Sequence, residues 1–152
     1  MIVADIMTEA SVSDTSHETL RAAGAIMWRQ QTGSLLIMDD GRLVGILTER
    51  DLLRAVARGA DVDNTPVRDV MTTKVRTVGA DASLHETARL MAANWIRHLP
   101  VMEGEKVVGV VSQRDLVGVL AALGPNTNGV ELPSDQLVRD RRLARIEHGD
   151  LD

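Results

Sequence analysis

The chain has 152 residues, of which 44% are hydrophobic and 26% charged, enough for one compact domain or two small domains packed together. Its net charge of −5 and its lack of aromatic side chains other than Trp28 and Trp95 argue against a nucleic-acid-binding protein, because such proteins usually present a basic face and, for single strands, stacking rings. The absence of cysteine excludes a disulfide and a thiolate zinc site.

The first half of the chain predicts the element order β-α-β-β-α. A short helical turn over residues 3–7 leads into a brief extended segment. Leu20, Ala23 and Met27 then lie three or four positions apart, which puts them on the buried face of an amphipathic helix. The elements that follow are the strands Ser34–Met38 and Leu43–Leu47, the turn Asp39-Asp40-Gly41 between them, and a closing helix over Glu49–Ala57 that Gly59 ends.

The second half repeats the first at a constant offset of 64 residues, as when Gly45-Ile46-Leu47-Thr48-Glu49-Arg50-Asp51-Leu52 returns as Gly109-Val110-Val111-Ser112-Gln113-Arg114-Asp115-Leu116. Its predicted elements are a turn over Val67–Met71, an extended segment over Val75–Val78, a helix with Leu84, Ala88, Met91 and Trp95 on one face, strands His98–Met102 and Val107–Val111, and a helix over Gln113–Ala122 that Gly124 ends.

These elements predict an α/β fold of the α+β type, in which two β-α-β-β-α repeats pack as a pseudo-two-fold pair. A unit of about sixty residues buries too little surface to be secure alone. Residues 1–60 form the first repeat, 61–124 the second, and 125–152 a tail with a helix over Asp135–Glu147. That helix either packs on its own body or grips a second subunit.

Thr48 and Asp51, like Ser112 and Asp115, lie three residues apart where a glycine-led strand gives way to a helix. A hydroxyl at the N-cap followed by an acid at the third helical position is a capping-box arrangement, and that role explains a single copy. A ligand-binding role is compatible with it. The free N–H groups at a helix start favour phosphate, and the carboxylate could accept hydrogen bonds from a ribose diol.

The doubled G-h-h-[ST]-x-R-D-L motif, the Asp5-Ile6-Met7-Thr8 and Asp69-Val70-Met71-Thr72 openings and Arg97-His98-Leu99-Pro100-Val101 resemble a tandem pair of CBS (cystathionine-β-synthase-like) domains, or Bateman module. The resemblance implies a regulatory module that binds an adenine nucleotide (AMP, ADP or ATP). It implies that the ribose is bound by Thr48, Asp51, Ser112 and Asp115, the phosphates by Arg97, His98, Arg114 and Arg50, and adenine by Val75, Val78, Pro100 and Val101.

The two copies differ in their basic residues, because Arg97 and His98 align with Gly33 and Ser34. In the family that the chain resembles, the ribose aspartate of one repeat works with basic residues of the other. We therefore expect Thr48 and Asp51 to pair with Arg97, His98 and Arg114, and the reciprocal site of Ser112 and Asp115 to have only Arg50. This predicts one strong phosphate-binding site and one weak or adenosine-only site. Alternatively, Arg97 and His98 lie at an exposed helix C-terminus and complement its dipole.

Catalysis and metal binding find little support in the sequence. The four histidines lack a spacing such as H-E-x-x-H, and no G-x-S-x-G, Walker or G-x-G-x-x-G motif is present. Asp5 interrupts any secretory signal and no apolar run reaches about 20 residues. We expect a cytoplasmic, non-enzymatic module with no required cofactor, a homodimer formed through helices, and an unidentified effector protein. The alternatives are a ligand-free scaffold protein, or a binder of S-adenosylmethionine, NAD or RNA.

Overall fold

The computed structural model describes residues 1–13 and 15–123, apart from the side chain of Leu123. Short 3-10 turns at Val3–Asp5 and Val67–Asp69 open the two repeats. The other elements are β1 (Val12–Ser13), α1 (Leu20–Gln30), β2 (Ser34–Asp39), β3 (Arg42–Thr48), α2 (Glu49–Ala57), β4 (Val78–Gly79), α3 (Leu84–Asn94), β5 (His98–Glu103), β6 (Lys106–Ser112) and α4 (Gln113–Leu123).

Residues Met1–Val119 form one compact unit that contains both three-stranded sheets. The second unit, Leu120–Asp152, is described only as far as the last residues of α4. The helix predicted over Asp135–Glu147 and the stop at Gly124 lie outside the described residues. No described helix is long and apolar enough to cross a bilayer.

The helix α2 has the bounds that the sequence predicted, because both of its ends are specified locally. The Asp51 N–H donates to Thr48 Oγ1 at 3.3 Å, and the Thr48 N–H donates to Asp51 Oδ2 at 2.9 Å, so the capping box is complete. Gly59, just beyond the C-cap, has a φ of 78°, a conformation that glycine adopts without strain. The capping role of this motif is therefore confirmed.

Each repeat forms a sheet in which the first strand is parallel to the second and the second is antiparallel to the third. The predicted fold class is confirmed. The constant offset is wrong for the first strand, because Ser13 lies opposite Ile37 whereas Val78 lies opposite Val101. Ser13 and Val78 are thus equivalent at an offset of 78 − 13 = 65 residues, and β4 begins at Val78 rather than at Val75.

The buried face of α3 differs from the predicted one at two positions. Thr87 is fully buried and Ala88 is exposed, because the Thr87 hydroxyl donates to the Ser83 carbonyl at 2.8 Å and so remains hydrogen-bonded inside the core. The helix ends at Asn94, and Trp95 follows in a left-handed conformation with φ 54° and 40% exposure. Met91 is buried as predicted.

The segment that leads each repeat packs on the other repeat. Val3 belongs to the core of the second repeat, and Val67 belongs to the core of the first. Reciprocal backbone hydrogen bonds join Thr8 to Val110 at 2.9 Å in both directions, and Ile46 to Thr72 at 3.0 Å in both directions. This exchange fixes residues from both repeats at the ends of β3 and β6, where the helices α2 and α4 begin.

Candidate functional site

A groove of about 580 Å³ lies at the start of α4, within the size range of small-ligand sites, about 300–1,000 Å³. Both repeats line it. The second repeat contributes Arg97, His98, Ser112, Arg114 and Asp115, and the first contributes Thr8, Gly33, Ser34 and Glu49.

Antiparallel pairing of β5 and β6 brings the basic residues to the Ser112–Asp115 motif. His98 lies directly opposite Ser112, and the Gln113 N–H donates to the Arg97 carbonyl at 2.8 Å. The expected pairing of Arg97, His98 and Arg114 with the motif of the first repeat is therefore wrong: these residues share a groove with Ser112 and Asp115. The signal was present in the sequence, because a hairpin with its turn at Gly104 places both ends of the hairpin side by side.

The Ser112–Asp115 pair forms a tight local unit with one carboxylate oxygen left over. The Ser112 N–H and the Ser112 hydroxyl both donate to Asp115 Oδ2, at 2.6 and 2.7 Å. The Asp115 N–H donates back to Ser112 Oγ at 3.3 Å. From the described residues Asp115 Oδ1 accepts no hydrogen bond, and the groove includes this side chain. Asp115 thus caps the helix with Oδ2, while Oδ1 has no donor among the described residues in a side chain that lines the groove.

The positive end of the groove is contributed by β5 and α4. Arg97 Nη2 lies 3.8 Å from Glu49 Oε2, so an acid of the first repeat already attracts this guanidinium. The His98 ring packs against the backbone at Gly33, where an added Cβ atom would lie 2.9 Å from His98 Cε1. Burial, and then the charge of Arg97, lower the pKa of His98 below its ordinary value of 6.5. The imidazole is therefore neutral at neutral pH, and Arg97 and Arg114 carry the positive charge.

The equivalent motif of the first repeat, Thr48 and Asp51, is closed by its own side chains and by Arg54. Asp51 is 5% exposed. Its Oδ2 accepts from the Thr48 N–H and hydroxyl at 2.9 and 3.0 Å, and its Oδ1 accepts from Arg54 Nη2 at 2.6 Å. Arg50, the equivalent of Arg114, donates from Nη1 to the Trp95 carbonyl at 3.0 Å. Both carboxylate oxygens and one guanidinium of this motif are thus engaged within the protein.

The residues predicted to hold adenine lie elsewhere. Val78, Pro100 and Val101 are buried in the second repeat, and Val75 is half-buried outside the groove wall. The apolar wall of the groove is formed by Val110 and Val117, which the sequence reasoning did not single out. Val110 could have been found, because it is one of the two hydrophobic positions between the glycine and the serine of the repeated motif.

A second cavity, of about 600 Å³, is lined by residues of the first repeat and of β6, among them Glu9, Val12 and Val108. None of the described residues that line it is a histidine or an arginine. Over the described ranges, no three histidine or acidic side chains converge as a metal site would require.

A family model described as "CBS domain" matches residues 3–58 and 67–122. The CBS domain-containing protein YhcV of Bacillus subtilis is 35% identical over 115 residues, which are 75% of this chain and 81% of that protein. A signal-transduction protein with CBS domains from Burkholderia ambifaria superposes with a TM-score of 0.75 at 34% identity, covering 80% of this chain and 95% of that one.

Two further structures contain ligands. The CBS domain protein PAE2072 of Pyrobaculum aerophilum, solved in complex with AMP, has a TM-score of 0.71 at 26% identity and covers 80% of this chain and 99% of its own. The CBS domain pair of protein MJ0100, solved with 5-methylthioadenosine and S-adenosyl-L-methionine, has a TM-score of 0.74 at 26% identity, covering 81% and 98%. Both neighbours therefore bind compounds built on adenosine.

Proposed function

This chain belongs to the CBS domain family, and we propose that it is a regulatory module that binds one adenine nucleotide in the groove of Ser112 and Asp115. The observation that carries the proposal is Asp115 Oδ1, which accepts no hydrogen bond from the part of the chain that the structure describes and belongs to a side chain in a groove with Arg97 and Arg114. The ligand class is supported by the adenosine compounds bound in the two structural neighbours.

The ribose would be held by the carboxylate of Asp115. A ribose diol offers two hydroxyl donors, and a carboxylate accepts hydrogen bonds on both oxygens. Asp115 Oδ1 is open to such a donor, while Oδ2 stays bound to Ser112 and keeps the side chain in a fixed orientation. The residue is therefore preorganised, and little side-chain freedom is lost when the ligand binds.

The phosphate group would lie between the start of α4 and the two arginines. Of the first three N–H groups of α4, those of Gln113 and Asp115 already donate to the Arg97 carbonyl and to Ser112 Oγ. The Arg114 N–H has no acceptor among the described residues, and an N–H at a helix start favours an anion. Arg114 follows the helix start directly, and Arg97 reaches the same groove from the beginning of β5. Guanidinium–phosphate hydrogen bonds are charge-assisted and often bidentate. Glu49 opposes them, and its repulsion would favour ligands with few phosphates over ligands with many.

Regulation would follow from the position of the groove between repeats. Thr8 and Glu49 belong to the first repeat, whereas Asp115 and Arg97 belong to the second. A ligand that contacts both changes the free energy of one relative arrangement more than that of another, and it shifts the equilibrium only by this difference. An effector protein that contacts both repeats would sense the shift.

The test is calorimetric titration of AMP into the wild type, Asp115→Asn and Asp51→Asn. Asparagine replaces one acceptor oxygen with a donor nitrogen, so Asp115→Asn should weaken AMP at least tenfold, about 1.4 kcal/mol. Asp51→Asn changes the equivalent capping box of the other repeat and should leave the affinity unchanged. An equal loss in both variants, once both are confirmed as folded, would assign the acids to helix capping alone.

Arg97→Ala separates phosphate binding from adenosine binding. We expect ATP and ADP to lose about 1.5–3 kcal/mol of binding free energy, the range for hydrogen bonds to charged groups, whereas adenosine should lose little. Raised salt should narrow the difference, since partly exposed charges are screened. If adenosine and ATP weaken equally, Arg97 shapes the groove without contacting phosphate.

S-adenosylmethionine is the second candidate, and the complex of the MJ0100 domain pair favours it. Its sulfonium is positive, so Glu49 would attract it and Arg97 would not contribute. A thermal-shift comparison of AMP, ADP, ATP, NAD and S-adenosylmethionine distinguishes the ligands, because saturation at 100 times the dissociation constant adds about 2.7 kcal/mol of stability. No shift with any of them would favour a ligand-free interaction protein.

A further inference from the structure

The residue three positions after the ribose aspartate differs between the two repeats. It is Arg54 in the first repeat and Gly118 in the second, at equivalent positions of α2 and α4 (118 − 54 = 64). Residues three apart on a helix are neighbours on its surface. A long cation at this position can therefore reach the aspartate, whereas glycine leaves the aspartate uncovered.

Arg54 takes up the oxygen of Asp51 that a ribose would need. Its Nη2 donates to Asp51 Oδ1 at 2.6 Å, and the two side chains are only 23% and 7% exposed. Thr48 takes up the other oxygen. An arginine–carboxylate pair at this distance is charge-assisted and about twice as strong as a neutral hydrogen bond. A ribose hydroxyl is a neutral donor, so it cannot displace Arg54 by hydrogen bonding alone.

We propose that Arg54 acts as an internal occupant of the ribose position in the first repeat and so restricts the chain to one adenine-nucleotide site, that of the second repeat. The inference rests on the proposed function. It adds Arg54 to the unequal basic residues at Arg97 and Gly33 as a cause of the one-site stoichiometry. The hydrogen bond from Arg50 to the Trp95 carbonyl also disfavours a nucleotide at the first repeat, because Arg50, the equivalent of Arg114, is then engaged within the protein.

Exchanging the two residues tests the proposal. Arg54→Ala removes the internal occupant and should raise the calorimetric stoichiometry of AMP from one to two per chain. Gly118→Arg supplies an occupant beside Asp115 and should weaken AMP at the second-repeat site at least tenfold. The new side chain starts in open space, because a Cβ atom added at Gly118 has no neighbour within 4 Å among the described residues. Gly118→Ala is the matched control and should bind AMP like the wild type.

Each outcome bears on one of the two proposals. A wild type that binds two AMP molecules overturns the role of position 54 and the single-site stoichiometry, but leaves adenine-nucleotide binding at Ser112 and Asp115 standing. A Gly118→Arg variant that binds like the wild type overturns the role of position 54 alone. A wild type that binds no adenosine compound overturns the proposed function and the inference with it. If Arg54→Ala fails to fold, as judged by circular dichroism, Gly118→Arg still decides, since it adds a side chain and leaves the Arg54–Asp51 pair intact.

Discussion

Replacing Gly109 with alanine would test whether the exchanged N-terminal segment holds the two repeats together. Gly109 lies in β6, and a Cβ atom built on it would be 2.8 Å from the Thr8 carbonyl oxygen and 3.0 Å from Met7 Sδ. The sulfur end of Met7 can move aside. The Thr8 carbonyl cannot, because Thr8 and Val110 are joined by two backbone hydrogen bonds of 2.9 Å.

The expected loss can be worked out from these contacts. Forcing a methyl group into a packed site costs about 1–3 kcal/mol, and each hydrogen bond that opens to relieve the clash adds about 0.5–1.5 kcal/mol. We expect Gly109→Ala to lower the free energy of unfolding by about 2–4 kcal/mol. Gly45→Ala should cost less, because its nearest backbone atom, the Thr72 carbonyl oxygen, is 3.1 Å away and its closest contact is the flexible end of Met71.

Urea denaturation followed by circular dichroism measures both losses. The control is Gly118→Ala, which meets no atom within 4 Å in α4 and should gain about 0.5–1 kcal/mol, because alanine is the better helix former. A Gly109→Ala variant within about 0.5 kcal/mol of the wild type, the range of surface substitutions, would refute the idea that the Thr8 bridge is rigid. The same result from Gly109→Ala and Gly45→Ala would refute the ordering.

Three further outcomes are expected. Glu49→Gln removes the carboxylate 3.8 Å from Arg97. Calorimetry should show that the affinity for ATP rises severalfold while the affinity for adenosine stays unchanged. An equal rise for both ligands would contradict a contact between Arg97 and phosphate. The pKa of His98 is lowered in the folded state, so below about pH 6.5 the unfolded chain binds a proton more readily than the folded one, and the free energy of unfolding decreases as the pH is lowered. Urea curves at pH 7.5 and 5.5 should show that His98→Gln loses less stability between these two pH values than the wild type. An equal decrease in both proteins would mean that other groups cause it. Leu53 and Val117 occupy equivalent positions of α2 and α4 and are 70% and 59% exposed. If these helices form the homodimer, light scattering should show that Leu53→Asp is a monomer. A wild type that is itself monomeric would contradict the dimer.

The order and limits of most elements follow from the sequence alone, because local chemistry specifies them. The capping box at Thr48 and the glycine at position 59 define α2 without reference to the rest of the chain. Asp40 and Gly41 have φ values of 49° and 74°, which the type I′ turn of a two-residue hairpin requires and which these residue types tolerate. The doubling of the motif likewise predicted two copies of one fold.

Burial could not be derived from residue type in the same way. The spacing predicts Ala88 on the buried face of α3, yet the Thr87 hydroxyl donates to the Ser83 carbonyl one turn back and Thr87 enters the core. The same spacing predicts Trp95 on that face, yet α3 ends one residue earlier. Spacing gives the direction of a side chain only while the helix continues, and where it stops depends on contacts with the rest of the fold.

The sequence also determined that the two repeats are unequal in their basic residues, since Arg97 and His98 align with Gly33 and Ser34 whatever the fold. Only the tertiary structure decided which of them work together. Strand pairing puts His98 opposite Ser112, and segment exchange brings Thr8 to the same groove. Partners in a site are chosen by distances between residues far apart along the chain, and those distances exist only after folding.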